Sequence, residues 1–152
     1  MKWALSRQHH GKRGENMADV GPTELMHNVM ELDQQNFAET IRNKDKLVVV
    51  EFYLPECPHC QRMAPIYEDL SREMADEAVF TRIHARDNWD LASQYGIQGT
   101  PTFKMFCRDQ LLGEVVGETS ATVLRNTIKD FIRHQEACAS GRNASYELDG
   151  YG

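Results

Sequence analysis

Apolar and polar positions alternate along the chain in blocks that predict a regular succession of strands and helices. Asn28 to Leu32 is short and partly apolar and reads as a strand. Asp33 then stands as a candidate helix N-cap, with Phe37 and Ile41 at helical spacing behind it. Asn43 to Lys46 is a polar turn. Leu47 to Tyr53 is β-branched, aromatic and nearly continuous in its apolarity, the pattern of a central strand buried on both faces, and Glu51 interrupts it. From Pro58 to about Ala75 the residues Met63, Ile66, Tyr67, Leu70 and Met74 recur at helical intervals, and Pro65 inside the pattern removes a backbone donor and predicts a kink. Val79 to Ala85 reads as a strand and Trp89 to Tyr95 as a short helix stopped at Gly96. Thr102 to Cys107 and Leu111 to Val116 are β-prone runs separated by Arg108-Asp109-Gln110, which predicts an antiparallel hairpin. Thr119 or Ser120 caps a last helix with Val123, Leu124, Thr127, Ile128, Phe131 and Ile132 on its apolar face. The order predicts an α/β fold, a mixed central sheet with helices on both faces.

Length and charge narrow the classes of function. The 152 residues, 41% of them hydrophobic, suffice for one domain with a core of its own. No apolar run approaches the roughly 20 residues of a membrane helix, and the longest, Leu47 to Leu54, contains Glu51. A formal charge of -6 argues against general nucleic-acid binding. Residues 1 to 16 nevertheless carry Lys2, Arg7, Lys12 and Arg13 against Glu15 alone. That basic, polar segment has no secretory apolar stretch, so residues 1–27 and 139–152 are expected to be disordered tails around a domain at 28–138, with Met17 an alternative start. A monomer in the cytoplasm is the corresponding expectation. Cys107 and Cys138 belong to no motif and read as small apolar side chains. Met26, Met30, Met63, Met74 and Met105 read as core filler, and Asn143-Ala144-Ser145 as an idle glycosylation match.

Cys57-Pro58-His59-Cys60 carries the chemistry. A strand, a short turn and a Cys-x-x-Cys opening a helix place the first sulfur at the positive end of a helix dipole. With Cys57 as N-cap, Pro58 occupies the first helical position, where a missing N–H costs nothing, and the N–H groups of His59 and Cys60 point back at the sulfur. The dipole contributes at most about 2 kcal/mol, or roughly 1.5 pKa units, so hydrogen bonds and any charge on His59 must supply the rest of a large shift. The expected outcome is an acidic Cys57 that attacks and a shielded Cys60 that resolves the mixed disulfide. A zinc site using Cys57, Cys60 and two of His59, His84 and Cys107 competes weakly, since no second cysteine pair stands at finger spacing.

Glu51-Phe52-Tyr53, Cys57-Pro58-His59-Cys60, Pro65, the run Tyr95 to Phe103 through Gly99-Thr100-Pro101, and Gly117 together resemble the thioredoxin superfamily, over about Asn28 to Cys138. The resemblance implies the thioredoxin fold, with about five strands, and a thiol-disulfide oxidoreductase that needs no bound cofactor. It also implies that Thr100-Pro101 is a cis-proline loop facing the cysteines, where Thr100 pairs with an extended substrate segment; without it, a trans bond would be expected, since only about 5% of X-Pro bonds are cis. Glu51 matches a buried acidic position that takes the proton from Cys60 through a water. Arg82, at the position of the family's lysine, is a candidate partner for Glu51.

Two departures bear on tuning. Cys-Pro-His-Cys replaces the usual Cys-Gly-Pro-Cys and is the pattern of DsbA-type oxidants, while Glu56 replaces the tryptophan before the first cysteine. Glu56 opposes a Cys57 thiolate and removes an apolar docking surface; a protonated His59 acts in the other direction. Moving from roughly -270 mV for thioredoxin to roughly -120 mV for DsbA takes about 7 kcal/mol, more than one exposed histidine supplies, so an intermediate potential is expected. Expected partners are protein thiol or disulfide substrates and a thioredoxin reductase or other dithiol donor, with no nucleic acid, membrane or metal. The alternative is a peptide-binding or metal-binding module on the same fold without redox turnover.

Overall fold

The computed structural model describes residues 28–139. The expectations for residues 1–27 and 140–152, Met17, Met26, Asn143 and the Cys138 side chain lie outside what is described, while Ala139, expected to open the C-terminal tail, closes the last helix. The elements are β1 (Met30–Leu32), α1 (Phe37–Ile41), β2 (Leu47–Tyr53), α2 (Pro58–Glu73), β3 (Ala78–His84), α3 (Trp89–Gln94), β4 (Thr102–Cys107), β5 (Gln110–Val116) and α4 (Ala121–Ala139). They follow the expected order, with boundaries shifted by a few residues. The five strands form one sheet in the order β1-β3-β2-β4-β5. β3 runs parallel to β1 and β2, while β4 is antiparallel to β2 and β5.

Side-chain period explains the layers. Alternate residues of β2 face opposite ways, so Leu47 and Val49 join Met63, Tyr67, Leu70, Phe103, Leu124 and Ile128 in one core under α2 and α4. Val48, Val50 and Phe52 join Phe37, Ile41, Ile83, Ala92 and Phe106 in the other, under α1 and α3. Both faces of β2 are therefore closed, as its unbroken apolarity requires. The Tyr67 hydroxyl lies 2.6 Å from the carbonyl oxygen of Thr81 and 3.2 Å from that of Val49, which fixes α2 over the sheet with its polar atom satisfied. At Gly113 a Cβ would meet the Phe131 ring at 2.4 Å, so this glycine lets α4 approach β5. Among the described residues no helix is long and apolar enough to cross a membrane.

Four local expectations are corrected, and the choice between two candidate caps is resolved. Asp33 does not cap α1: the cap position is Asn36, and Asp33 Oδ1 instead accepts the N–H groups of Gln35 and Asn36 in a turn of its own. Of the two candidates for the last cap, Ser120 Oγ accepts the Val123 N–H at 3.1 Å. Val123 is 50% exposed, which narrows the buried stripe of α4 to Leu124 and Ile128, flanked by Phe131 and Ile132. Met30 is 46% exposed, whereas Met63, Met74 and Met105 are buried. Cys107, read as a small apolar side chain, is buried and also disulfide-bonded.

Candidate active site

The site is built where β2 hands over to α2. The chain leaves Tyr53, turns with the Cys57 N–H donating to the Leu54 carbonyl at 3.2 Å, and starts the helix with Gln61 N–H donating to the Cys57 carbonyl at 3.0 Å. Cys57 is the N-cap, in extended geometry, and Pro58 occupies the first turn without cost. Cys57 is partly buried and Cys60, one turn on, is buried; both are free thiols. The Thr100-Pro101 bond is cis and brings the Thr100 carbonyl within 3.5 Å of Cys57 Sγ, which donates to it in the thiol form. Thr100 thus faces the Cys57 sulfur, with Pro101 following it in the cis-proline loop and Pro58 and His59 following Cys57 into α2.

Electrostatics separate the two thiols. Burial opposes the Cys57 anion, but hydrogen bonding by the Thr100 side chain, by Cys60 and by the His59 backbone outweighs it and brings the thiol down to about 7. At Cys60 burial dominates, its hydrogen bond with Cys57 and the charge of Glu51 add to it, and the thiol is pushed up to about 11. One thiol is poised as an anion near neutrality and the other keeps its proton. Beneath them Glu51 is 3% exposed. Burial is the main reason its carboxyl rises to about 8; Arg82 pulls it down, while the charges of Glu31 and Cys57 push it up.

Arg82 is not the ion-pair partner of Glu51. Its Nε donates to Glu31 Oε1 at 2.7 Å and its guanidinium carbon lies 4.5 Å from the Tyr53 ring centroid. His59 is placed differently from a simple charge beside the sulfur: its Nδ1 is 2.7 Å from Glu118 Oε1, and Arg62 Nε donates to the same carboxylate at 3.0 Å. Hydrogen bonds from Arg62 and His59 hold the Glu118 carboxyl down at about 2. The Glu56 charge, expected to oppose the Cys57 thiolate, is engaged by Arg86. Glu118, Arg62, Arg86 and Glu31 were all missed by sequence reasoning. No short-range pattern joins residues 56 or 51 positions apart, as Arg62 and Glu118, or Glu31 and Arg82, are; only the position of Glu118 directly after Gly117 hinted at its place.

On the other side of Thr100 opens a cavity of about 470 Å³ lined by Leu54, Arg86, Trp89, Ala92, Ile97 and Gly99. Trp89, expected merely to open a helix, is 62% exposed at its mouth. Among the described residues no group of three His, Cys, Asp or Glu side chains converges to hold a metal ion. His84, a candidate ligand, has its Nδ1 accepting the Asp87 N–H at 3.1 Å.

A family model described as thioredoxin matches residues 28–130. Protein disulfide isomerase-like 2-2 of Oryza sativa is 32% identical over 123 residues, which cover 79% of this chain and 32% of that protein. A thioredoxin of Buchnera aphidicola is 29% identical over 107 residues, 70% of this chain and 99% of its own. Among solved structures, a mutant thioredoxin from Halobacterium salinarum superposes with a TM-score of 0.63 at 26% identity, covering 70% of this chain and 93% of its own. The chain spans only about a third of the Oryza disulfide isomerase it matches. With the sheet order, the cis Thr100-Pro101 bond and the Cys57/Cys60 helix start already in place, the family match establishes that this chain belongs to the thioredoxin family.

Proposed function

We propose that the protein is a thiol-disulfide oxidoreductase acting on protein substrates through Cys57 and Cys60. The observation that carries the reading is the opposite displacement of the two thiols, Cys57 to about 7 and Cys60 to about 11. The Cys57 thiolate attacks one sulfur of a substrate disulfide, and the other sulfur leaves as a thiolate. Cys60 then gives up its proton and attacks Cys57 Sγ, so the Cys57–Cys60 disulfide forms as the second substrate sulfur departs. The substrate gains two electrons and the protein loses them; a second dithiol returns them, and the same steps in reverse oxidise a substrate. Glu51, in its ionised form, is the group we assign to accept the Cys60 proton through a water, and its burial and its influence on the Cys60 thiol support that role. The cis Thr100-Pro101 segment and the cavity beside Trp89 offer an extended substrate backbone a polar edge and one apolar side chain a seat.

The potential is expected between those of thioredoxin and DsbA and nearer the former. A more acidic attacking thiol stabilises the reduced form, and a Cys57 near 7 sits at the thioredoxin end of a range that reaches roughly 3.5 in DsbA. The His59 ring nitrogen, which faces the Glu118 carboxylate, supports that reading. Equilibration with glutathione mixtures, read by alkylation and mass spectrometry, tests both levels of the proposal. A reversible Cys57–Cys60 pair between roughly -270 and -120 mV is expected. A more reducing value overturns the tuning argument, and no reversible pair overturns the oxidoreductase in favour of a binding module.

For a reductase the electron donor would be a thioredoxin reductase or another dithiol protein, with Trp89 rather than residue 56 supplying an aromatic surface for docking.

A further inference from the structure

Glu31, Arg82 and Glu51 form a row across three strands. Glu31 on β1 and Glu51 on β2 both stand in register with Arg82 on β3, and neighbouring strands lie about 4.8 Å apart, so one guanidinium stands between two carboxyl groups on the same sheet face. The two are not equal claimants. Arg82 Nε donates to Glu31 Oε1 at 2.7 Å, the Tyr53 hydroxyl donates to Glu31 Oε2 at 2.8 Å, and the guanidinium carbon stacks 4.5 Å from the Tyr53 ring centroid. Both Glu31 oxygens are thus occupied, and Arg82 is held by a hydrogen bond on one side and a ring face on the other. Among the described residues Arg82 has its ion pair with Glu31 and none with Glu51.

We propose that Glu31 is a positioning residue: by clamping Arg82 over Tyr53 at the sheet edge it withholds the counter-ion from the buried Glu51. Glu51 is otherwise faced by Cys57 and Cys60 from the start of α2, by Tyr67 from α2, by Tyr53 from its own strand and by the apolar Phe103 from β4, none of which is a cation. With Glu31 gone, Arg82 is the cation free to turn inward. The consequence for proton transfer from Cys60 rests on the oxidoreductase reading; the positioning itself does not.

The test is a carbon-13 NMR titration of the Glu51 carboxyl in the reduced full-length chain, for wild type, Glu31→Ala, Arg82→Met and the double variant. Glu31 is 47% exposed, so its truncation leaves the core intact, and Glu31→Gln serves as a second, near-isosteric check. Glu31→Ala is expected to lower the Glu51 midpoint by about one to three pH units, the effect of an opposite charge arriving within about 4–6 Å. Arg82→Met is expected to raise it. In the Arg82→Met background, removing Glu31 is expected to move it by less than about half a unit. An equal shift in both backgrounds makes Glu31 a repelling charge and overturns the proposal, as does no shift when Arg82 is present. Disulfide turnover measured on the same samples reports separately on the oxidoreductase reading, because the titration is read whether or not the protein is active.

Discussion

Cys60→Ser is expected to accumulate covalent mixed disulfides with substrate proteins, while Cys57→Ser captures none and falls to the background rate of uncatalysed exchange. The asymmetry follows from position. Cys57 caps α2, is partly buried and has its thiol near 7, so its anion is available at neutral pH. Cys60 is buried one turn in, with its thiol near 11, and acts only on a sulfur already joined to Cys57. Removing Cys60 therefore leaves attack intact and blocks release. Non-reducing gels and mass spectrometry of an insulin reduction mixture read the result. Trapping by Cys57→Ser instead of Cys60→Ser would exchange the two roles, and trapping by neither would remove them.

The second large effect concerns Glu51 and has a sign that pH reveals. Its carboxyl has the ordinary value of 4.5 in the unfolded chain and about 8 in the folded one, chiefly through burial. Below pH 4.5 both states hold the proton and the residue costs nothing. Between the two values only the native state holds it, so native stability falls as pH rises, and the cost is complete above pH 8. A shift of this size corresponds to a penalty on the order of 4 kcal/mol at pH 8. Glu51→Gln is expected to remove that decline, matching wild type near pH 4 and exceeding it by several kcal/mol at pH 8 in urea unfolding. The same variant is expected to slow substrate release by about a hundredfold, the lower range for loss of a general base. A stability difference independent of pH would mean that the folded-state value of Glu51 is not displaced from 4.5.

Features with local causes were legible in the sequence. The closed faces of β2 follow from seven residues with one charge among them, the helix start at Pro58 follows from an N-cap and a first-turn proline, and the hairpin from two β-prone runs. The hairpin turn proved shorter than expected, since Arg108 and Asp109 both adopt positive φ and let Gln110 join β5. Cys57, Cys60, Thr100 and Pro101 lie together as their motifs implied. What the sequence did not disclose is which charge pairs with which. Arg82 stands between Glu31 and Glu51, and only the added Tyr53 ring and hydroxyl decide for Glu31. His59 turns to Glu118 because the end of β5 delivers that carboxylate to the mouth of α2, a contact 59 residues apart in sequence. Glu56 likewise finds Arg86 across the site. These choices arise from strand register and helix placement, which periodicity alone does not resolve.

The pH dependence of alkylation of the reduced protein, mapped to individual cysteines by mass spectrometry, tests the central claim most directly. Cys57 is expected to react with a midpoint near pH 7 while Cys60 stays unreactive until strongly alkaline pH. Reaction of both at the midpoint of a free cysteine, about 8.5, or of Cys60 before Cys57, would contradict the account.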